Sequence, residues 1–254
     1  MNPFFFGRSE RPLFGLYTQG RSDGASVATA ARAVLLCYPV GSEYLRAHRA
    51  FRQLNLMLNR HGLNVLRFDY SCTGDSGGAG VEASLDEWLD DVDWAIDELM
   101  DTADVDEIDV VGLRWGAALA ALGARERDEV RRLVLWDPVV TGRGYFDEVL
   151  PDGAPDGTVG IEGYPFSAEL RAAMSTVDLT TDLADGRPLA TSIVVADERP
   201  EHLALRDALR ARGDEVSYDV VPSPGNWAEV DPFGDALIPQ DIIRAIVDRL
   251  REER

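Results

Sequence analysis

Ile108–Ala120 reads I-D-V-V-G-L-R-W-G-A-A-L-A. Its first half is a β-branched apolar run of strand length, and its second half is built from small helix formers. Gly112 and Gly116 bracket the junction, so the stretch predicts a buried strand turning sharply into a helix. The residue on the turn is Arg114. A guanidinium stays protonated and only donates hydrogen bonds, so the side chain at this bend cannot act as a nucleophile.

On either side the same rhythm repeats. Leu13–Tyr17 predicts a short strand, and Ala33–Pro39 a central parallel strand ending at proline. Arg46–His61 follows as a helix with Ala47, Phe51, Leu54 and Leu58 on one face and Gly62 as its stop. Asn64–Tyr70 is the next strand, before the glycine-rich loop Ser71–Gly80. Ser84 and Glu87 have capping-box spacing and open a helix whose Leu85, Trp88, Val92, Ala95, Ile96 and Leu99 form the inward stripe. Asp86, Asp90, Asp93, Asp97 and Asp101 lie on its other face, which reads as solvated rather than metal-binding. Beyond the turn, Arg132–Trp136 is another strand. Thr141–Arg187 then breaks the rhythm, being rich in glycine and proline, with one helical pattern at Ser167–Ser175. Strand Ala190–Ala196, helix Pro200–Arg212, strand Val216–Val221 and helix Asp241–Leu250 complete the order.

The chain has 254 residues, 45% of them hydrophobic, enough for one large α/β core. All 25 basic residues are arginine, and 28 Asp stand against 17 Glu, giving a net charge of −20. That charge repels nucleic acid and anionic membranes. Its even spread reads as a solubility adaptation to high salt. No apolar run approaches the ~20 residues of a membrane span. Two cysteines, Cys37 and Cys72, imply no disulfide framework, and cytoplasmic residence is expected.

Four further segments carry a family likeness: F-F-F-G-R-S-E-R-P-L-F-G-L-Y from Phe4, Pro39-Val40-Gly41-Ser42-Glu43, Phe68-Asp69-Tyr70 with Gly74-Asp75-Ser76, and Leu135-Trp136-Asp137-Pro138-Val139-Val140. With the Gly112–Gly116 turn, the chain resembles the α/β-hydrolase superfamily, within its serine-aminopeptidase-like branch. It is most similar to the hydrolase-like proteins encoded with exosortase systems. The resemblance implies a single α/β domain over residues 1–254, with a mostly parallel central sheet flanked by helices. It also implies a small lid between strands six and seven, at about 141–187, an N-terminal hairpin, and an oxyanion loop at Val40, Gly41, Ser42 and Glu43.

It further implies where a Ser-His-Asp triad would lie. The nucleophile position falls on Arg114. The acid falls on Asp197, or in a variant arrangement on Asp137. The histidine position, after the last strand, reads Pro224-Gly225-Asn226-Trp227, so Asn226 stands there. Neither Asn226 nor Trp227 can take and return a proton at neutral pH. His48, His61 and His202 are the three histidines, and none follows the last strand.

A catalytically degenerate hydrolase homologue is therefore expected, holding a small polar, anionic or acyl ligand. The alternatives are a hydrolase of small esters with a rearranged site, using Asp197 and Arg114, and a structural partner in an envelope or polysaccharide assembly. Trp115 and Trp227 are expected to line the pocket. Arg114 needs a carboxylate, with Glu43, Asp137 and Asp197 as candidates. Cys72 reads as a turn cysteine rather than a substitute nucleophile, Ser76 as satisfying loop backbone, and His202 as capping or facing solvent. No cofactor or metal is called for, and no pattern specifies an oligomeric state.

Overall fold

The computed structural model describes residues 1–20, 32–150, 153, 157–223, 227 and 238–251. Its strands are β1 (Asn2–Arg8), β2 (Arg11–Thr18), β3 (Ala33–Cys37), β4 (Asn64–Phe68), β5 (Ile108–Leu113), β6 (Val130–Trp136), β7 (Val159–Ile161), β8 (Tyr164–Phe166), β9 (Ala190–Val195) and β10 (Glu215–Val220). Eight of them form one sheet in the order β1-β2-β4-β3-β5-β6-β9-β10. β1 and β2 pair antiparallel, β2 runs antiparallel to β4, and every pairing from β4 to β10 is parallel. Every residue of β3, β4 and β5 is buried, which explains their mostly apolar character, with Asn64, Arg67 and Asp109 as the buried polar members. β10, at an edge, is half-exposed.

The helices are α1 (Ser42–Arg60), α2 (Leu85–Ala103), α3 (Trp115–Ala124), α4 (Gly142–Val149), α5 (Ala168–Thr176), α6 (Leu179–Asp182), α7 (Pro200–Arg212) and α8 (Gln240–Arg251). α1 packs with α8, and α2 packs with α3. α3 is apolar all round because it is buried all round, at the centre of the sheet. No helix among the described residues is long and apolar enough to cross a membrane.

The predicted elements are present with shifted ends. The early strand is the second arm of a hairpin, with Phe5 opposite Phe14 and Phe6 opposite Leu13. α1 begins at Ser42, four residues before the expected start, because the chain turns into the helix at Gly41 with φ +65°. The capping box at α2 is half-formed. Ser84 Oγ accepts the Glu87 N–H at 3.2 Å, while the Glu87 carboxylate takes Arg11 Nη1 at 2.7 and 2.9 Å. The aspartate face of α2 is solvated, with Asp90 paired to Arg8 and Asp93 and Asp97 to Arg127.

The excursion between β6 and β9 is more structured than its composition suggested. Besides α5 it holds α4, the hairpin β7–β8 and α6. It is laced to the end of β6 through Gly142 N–H to Val177 O and Leu179 N–H to Val140 O, both 2.9 Å.

Candidate functional site

Gly112 and Gly116 are glycines because backbone passes too close for a side chain. A Cβ on Gly116 would strike the carbonyl oxygens of Cys37 and Tyr38, and one on Gly112 would strike Gly116 O and Ala117. α3 therefore starts hard against the ends of β3 and β5. Arg114 sits at the bend with φ 54° and ψ −120°, a conformation that costs a non-glycine residue energy. The surroundings hold it there. Its N–H donates to Trp136 O at 3.0 Å, and its carbonyl accepts from Ala117 N at 3.1 Å and Val139 N at 3.2 Å.

Only 5% of Arg114 is exposed. Its Nε donates to Glu43 Oε1 and its Nη2 to Glu148 Oε2, each at 2.9 Å. Glu43 comes from the first turn of α1 and is completely enclosed. Glu148 comes from the last turn of α4, in the lid, where Thr141 Oγ1 caps the helix by accepting Gly144 N–H at 3.2 Å. Arg199 Nη1 also stands 3.7 Å from Glu148 Oε2, so this glutamate lies between two guanidinium groups.

Burial pushes the Glu43 carboxyl above its ordinary range, opposed by the charge and hydrogen bond of Arg114. Burial alone would lower Arg114, but Glu43 and Glu148 reverse this and raise it. Burial, then Glu43, lifts Tyr145 well above the ordinary phenol. Two enclosed polar atoms beside the bend, Glu43 Oε2 and Trp115 Nε1, have no hydrogen-bond partner. The first two backbone N–H groups of α3, those of Trp115 and Gly116, lack intrahelical acceptors, while that of Ala117 is taken by Arg114 O.

Of the three carboxylates proposed for Arg114, the structure uses Glu43 alone. Asp137, with φ 40°, bridges elsewhere: Oδ1 accepts Ala196 N–H at 2.7 Å and Oδ2 accepts Trp227 Nε1–H at 3.0 Å. Asp197 is exposed at the end of β9. Glu148 is not among the carboxylates expected from the sequence. Thr141, with Tyr145, Phe146 and Val149 at helical spacing, could have disclosed α4, but nothing in the sequence singles out that glutamate.

The remaining candidates divide. Val40 is buried, Gly41 faces the Phe166 ring, and Ser42 is half-buried at the head of α1. Trp115 is fully buried, its ring 5.6 Å from Tyr145. Trp227 lies edge-on to Trp136 at 5.4 Å, and its carbonyl accepts Arg46 Nη1 at 2.6 Å. Asn226 lies outside the described residues. Cys72 occupies a turn with φ 64°, where burial raises its thiol, contrary to what a thiolate nucleophile needs. Ser76 Oγ is spent on the loop, bonding Asp69 O at 2.6 Å and Phe14 N at 2.8 Å. His202 neither caps nor faces solvent. It is buried on α7 with Nδ1 unpartnered, and desolvation lowers its pKa.

No family model matches the chain, and no curated protein matches it in sequence. Solved structures do match over nearly all of its length. Est1E from Butyrivibrio proteoclasticus, with ferulic acid bound, superposes with a TM-score of 0.74 at 16% identity, covering 98% of this chain and 96% of that one. The Pyrococcus furiosus esterase Pf2001 gives 0.68 at 17% identity, covering 98% and 91%. Mouse alpha/beta hydrolase domain-containing protein 10 gives 0.63 at 17% identity, covering 98% and 97%. With its eight-stranded, mostly parallel sheet and the sharp strand-to-helix bend at Arg114, the chain has the α/β-hydrolase fold.

Proposed function

We propose that this chain is a catalytically degenerate member of the hydrolase fold, a binding or accessory protein that does not run Ser-His-Asp chemistry. The observation that carries this reading is the engagement of Arg114 by Glu43 and Glu148 on the bend where the family resemblance expects serine. A second contact agrees with it. The Asp137 carboxylate, at the variant acid position, receives the indole N–H of Trp227. An indole can donate to a carboxylate as a histidine would, but it cannot shuttle a proton.

The ligand in this reading is a small polar or acyl compound beneath the lid. The unpartnered Glu43 Oε2 and Trp115 Nε1 are enclosed, and they become hydrogen-bonding groups for it when α4 moves aside. Because two carboxylates already answer the guanidinium, an anion reaches Arg114 only by displacing Glu148 together with α4. Uncharged polar and acyl compounds are favoured. The hairpin β1–β2 supports placement near the exosortase-associated, aminopeptidase-like branch. Free, buried Cys37 and Cys72 suit a reducing cytoplasm.

Hydrolysis of p-nitrophenyl acetate and butyrate tests the reading. The wild type, Asp197→Asn and Asp137→Asn should all match the buffer blank. Turnover above blank that either substitution removes would establish a rearranged hydrolase instead. In a thermal-shift screen of short-chain esters and amides, compounds that stabilise the wild type should lose that effect in Arg114→Gln.

A further inference from the structure

A cleft that shares no residue with the Arg114 site opens between α1 and strands β2 and β4, with a volume of about 230 Å³. Arg67 of β4 lines it and is only 4% exposed. Its Nη1 donates to the Tyr38 hydroxyl at 2.8 Å, and its Nη2 meets only the Met1 thioether at 3.4 Å. Its Nε has no partner. Among the described residues, no carboxylate forms an ion pair with this enclosed guanidinium, whereas Arg114 pairs with two and Arg212 and Arg131 with one each. A buried guanidinium with no carboxylate in hydrogen-bond reach is costly even with Asp69 and Asp75 in the same wall, and an oxyanion seated directly on it lowers that cost.

The neighbouring groups define which anion fits. Asp69 also lines the cleft, but its oxygens are occupied by the Tyr44 hydroxyl at 2.7 Å and the Asp75 N–H at 3.0 Å. Asp75 stands exposed at the rim. Two aspartates in one wall repel a dianion such as phosphate more than a single carboxylate. Desolvation keeps His48 toward its neutral form, so Arg67 is the cleft's fixed positive charge. Phe14, Leu16 and Phe68 supply apolar wall, with the Tyr38 ring beside them. The volume lies below the ~300–1,000 Å³ of drug-sized sites, so the occupant is a small molecule.

We propose that this cleft binds a small monocarboxylate with an apolar or aromatic body, its carboxylate seated on Arg67 and its body against Phe14, Leu16 and Phe68. The guanidinium then gains a charged acceptor, which neither the Tyr38 hydroxyl nor the Met1 thioether is.

The experiment titrates the whole protein with benzoate, phenylacetate and hexanoate, using benzamide and inorganic phosphate as controls, followed by melting temperature and calorimetry. The carboxylates should raise the melting temperature with concentration while benzamide and phosphate do not. Arg67→Gln should weaken binding by about tenfold or more, the loss expected for a charge-assisted hydrogen bond. Arg114→Gln should leave it unchanged, which separates this site from the one beneath the lid. Should Arg67→Gln fold poorly, Leu16→Trp fills the cleft from β2 and should abolish binding, and the His48 ring resonances of the wild type should move on titration. Failure of all three carboxylates to bind, equal binding of benzamide, or unchanged affinity in both cleft variants would overturn the proposal.

Discussion

The two carboxylates on Arg114 differ in standing. The Glu43 side chain is 2% exposed and that of Glu148 26% exposed, so Glu43 has no recourse to water if the guanidinium is removed. Arg114→Met should therefore destabilise the protein by about 3–5 kcal/mol in urea unfolding, the range for stranding one half of a buried ion pair. Adding Glu43→Gln should recover part of that loss, because the two residues share one interaction. Asp91 carries a separate pH signature. It is buried under the Ser71 turn, accepting Ser71 N–H at 2.7 Å and Ser71 Oγ–H at 2.9 Å. Burial still raises its pKa from 3.8 to about 6. The folded state thus holds this proton more tightly than the unfolded chain. The associated stability is complete below about pH 4 and is lost as pH rises through about 6. Relative to Asp91→Asn, the wild type should lose up to about 3 kcal/mol across that window, read from urea midpoints at pH 4 and pH 7.

At the scale of elements, the charged attachments of α4 to the core among the described residues all run through Glu148. Glu148→Gln removes its charge from between Arg114 and Arg199. Backbone amides of Gly142–Val149 should then exchange about tenfold faster, while those of β5 and α3 keep their protection. Gly116→Ala should be far more damaging than its size suggests, because the new methyl meets backbone carbonyls that cannot move aside. A loss of about 3 kcal/mol or more, or no folded protein, is expected. The same distinction explains what could be read in advance. β3 announces itself because burial on both faces demands an unbroken apolar run, β4 and β5 because most of their residues are apolar, and Gly112–Arg114–Gly116 because the bend tolerates little else. α4 and the hairpin β7–β8 are short and held by distant partners, and periodicity carries no such information. Glu148 meets Arg114 across 34 positions, and Arg67 meets Tyr38 across 29. His202 looked like a surface residue one turn into α7, and only the packing of that turn buries it. Glu43 was legible because a buried arginine requires a carboxylate, and the loop bearing Glu43 could be placed beside it.

For the molecule as a whole, 45 acidic side chains face 25 arginines. Some arginines neutralise carboxylates inside the fold: Asp109 holds Arg131 at 2.9 Å and Arg32 at 3.0 Å, and Asp214 holds Arg212 at 2.6 Å. The unanswered excess is largely on the surface, where salt screens it. The Debye length falls from about 10 Å at 0.1 M to about 3 Å at 1 M, while enclosed pairs are screened much less. The melting temperature should therefore climb with sodium chloride over that range, measured by scanning fluorimetry; a fall would mean that exposed ion pairs outweigh the repulsion.

The edge-on meeting of Trp136 and Trp227, 5.4 Å apart at 81°, gives the protein an optical handle of its own. Two indole transition moments this close, fixed in a chiral setting, split into an exciton couplet in circular dichroism. Trp136 belongs to the rigid sheet, whereas Trp227 arrives on the segment after β10 and is fastened through Asp137 and Arg46. The couplet therefore reports whether Trp227 is seated against Trp136. It should vanish in Trp227→Phe, and in the wild type its amplitude lets the seating of Trp227 during refolding be timed by stopped flow without any added dye.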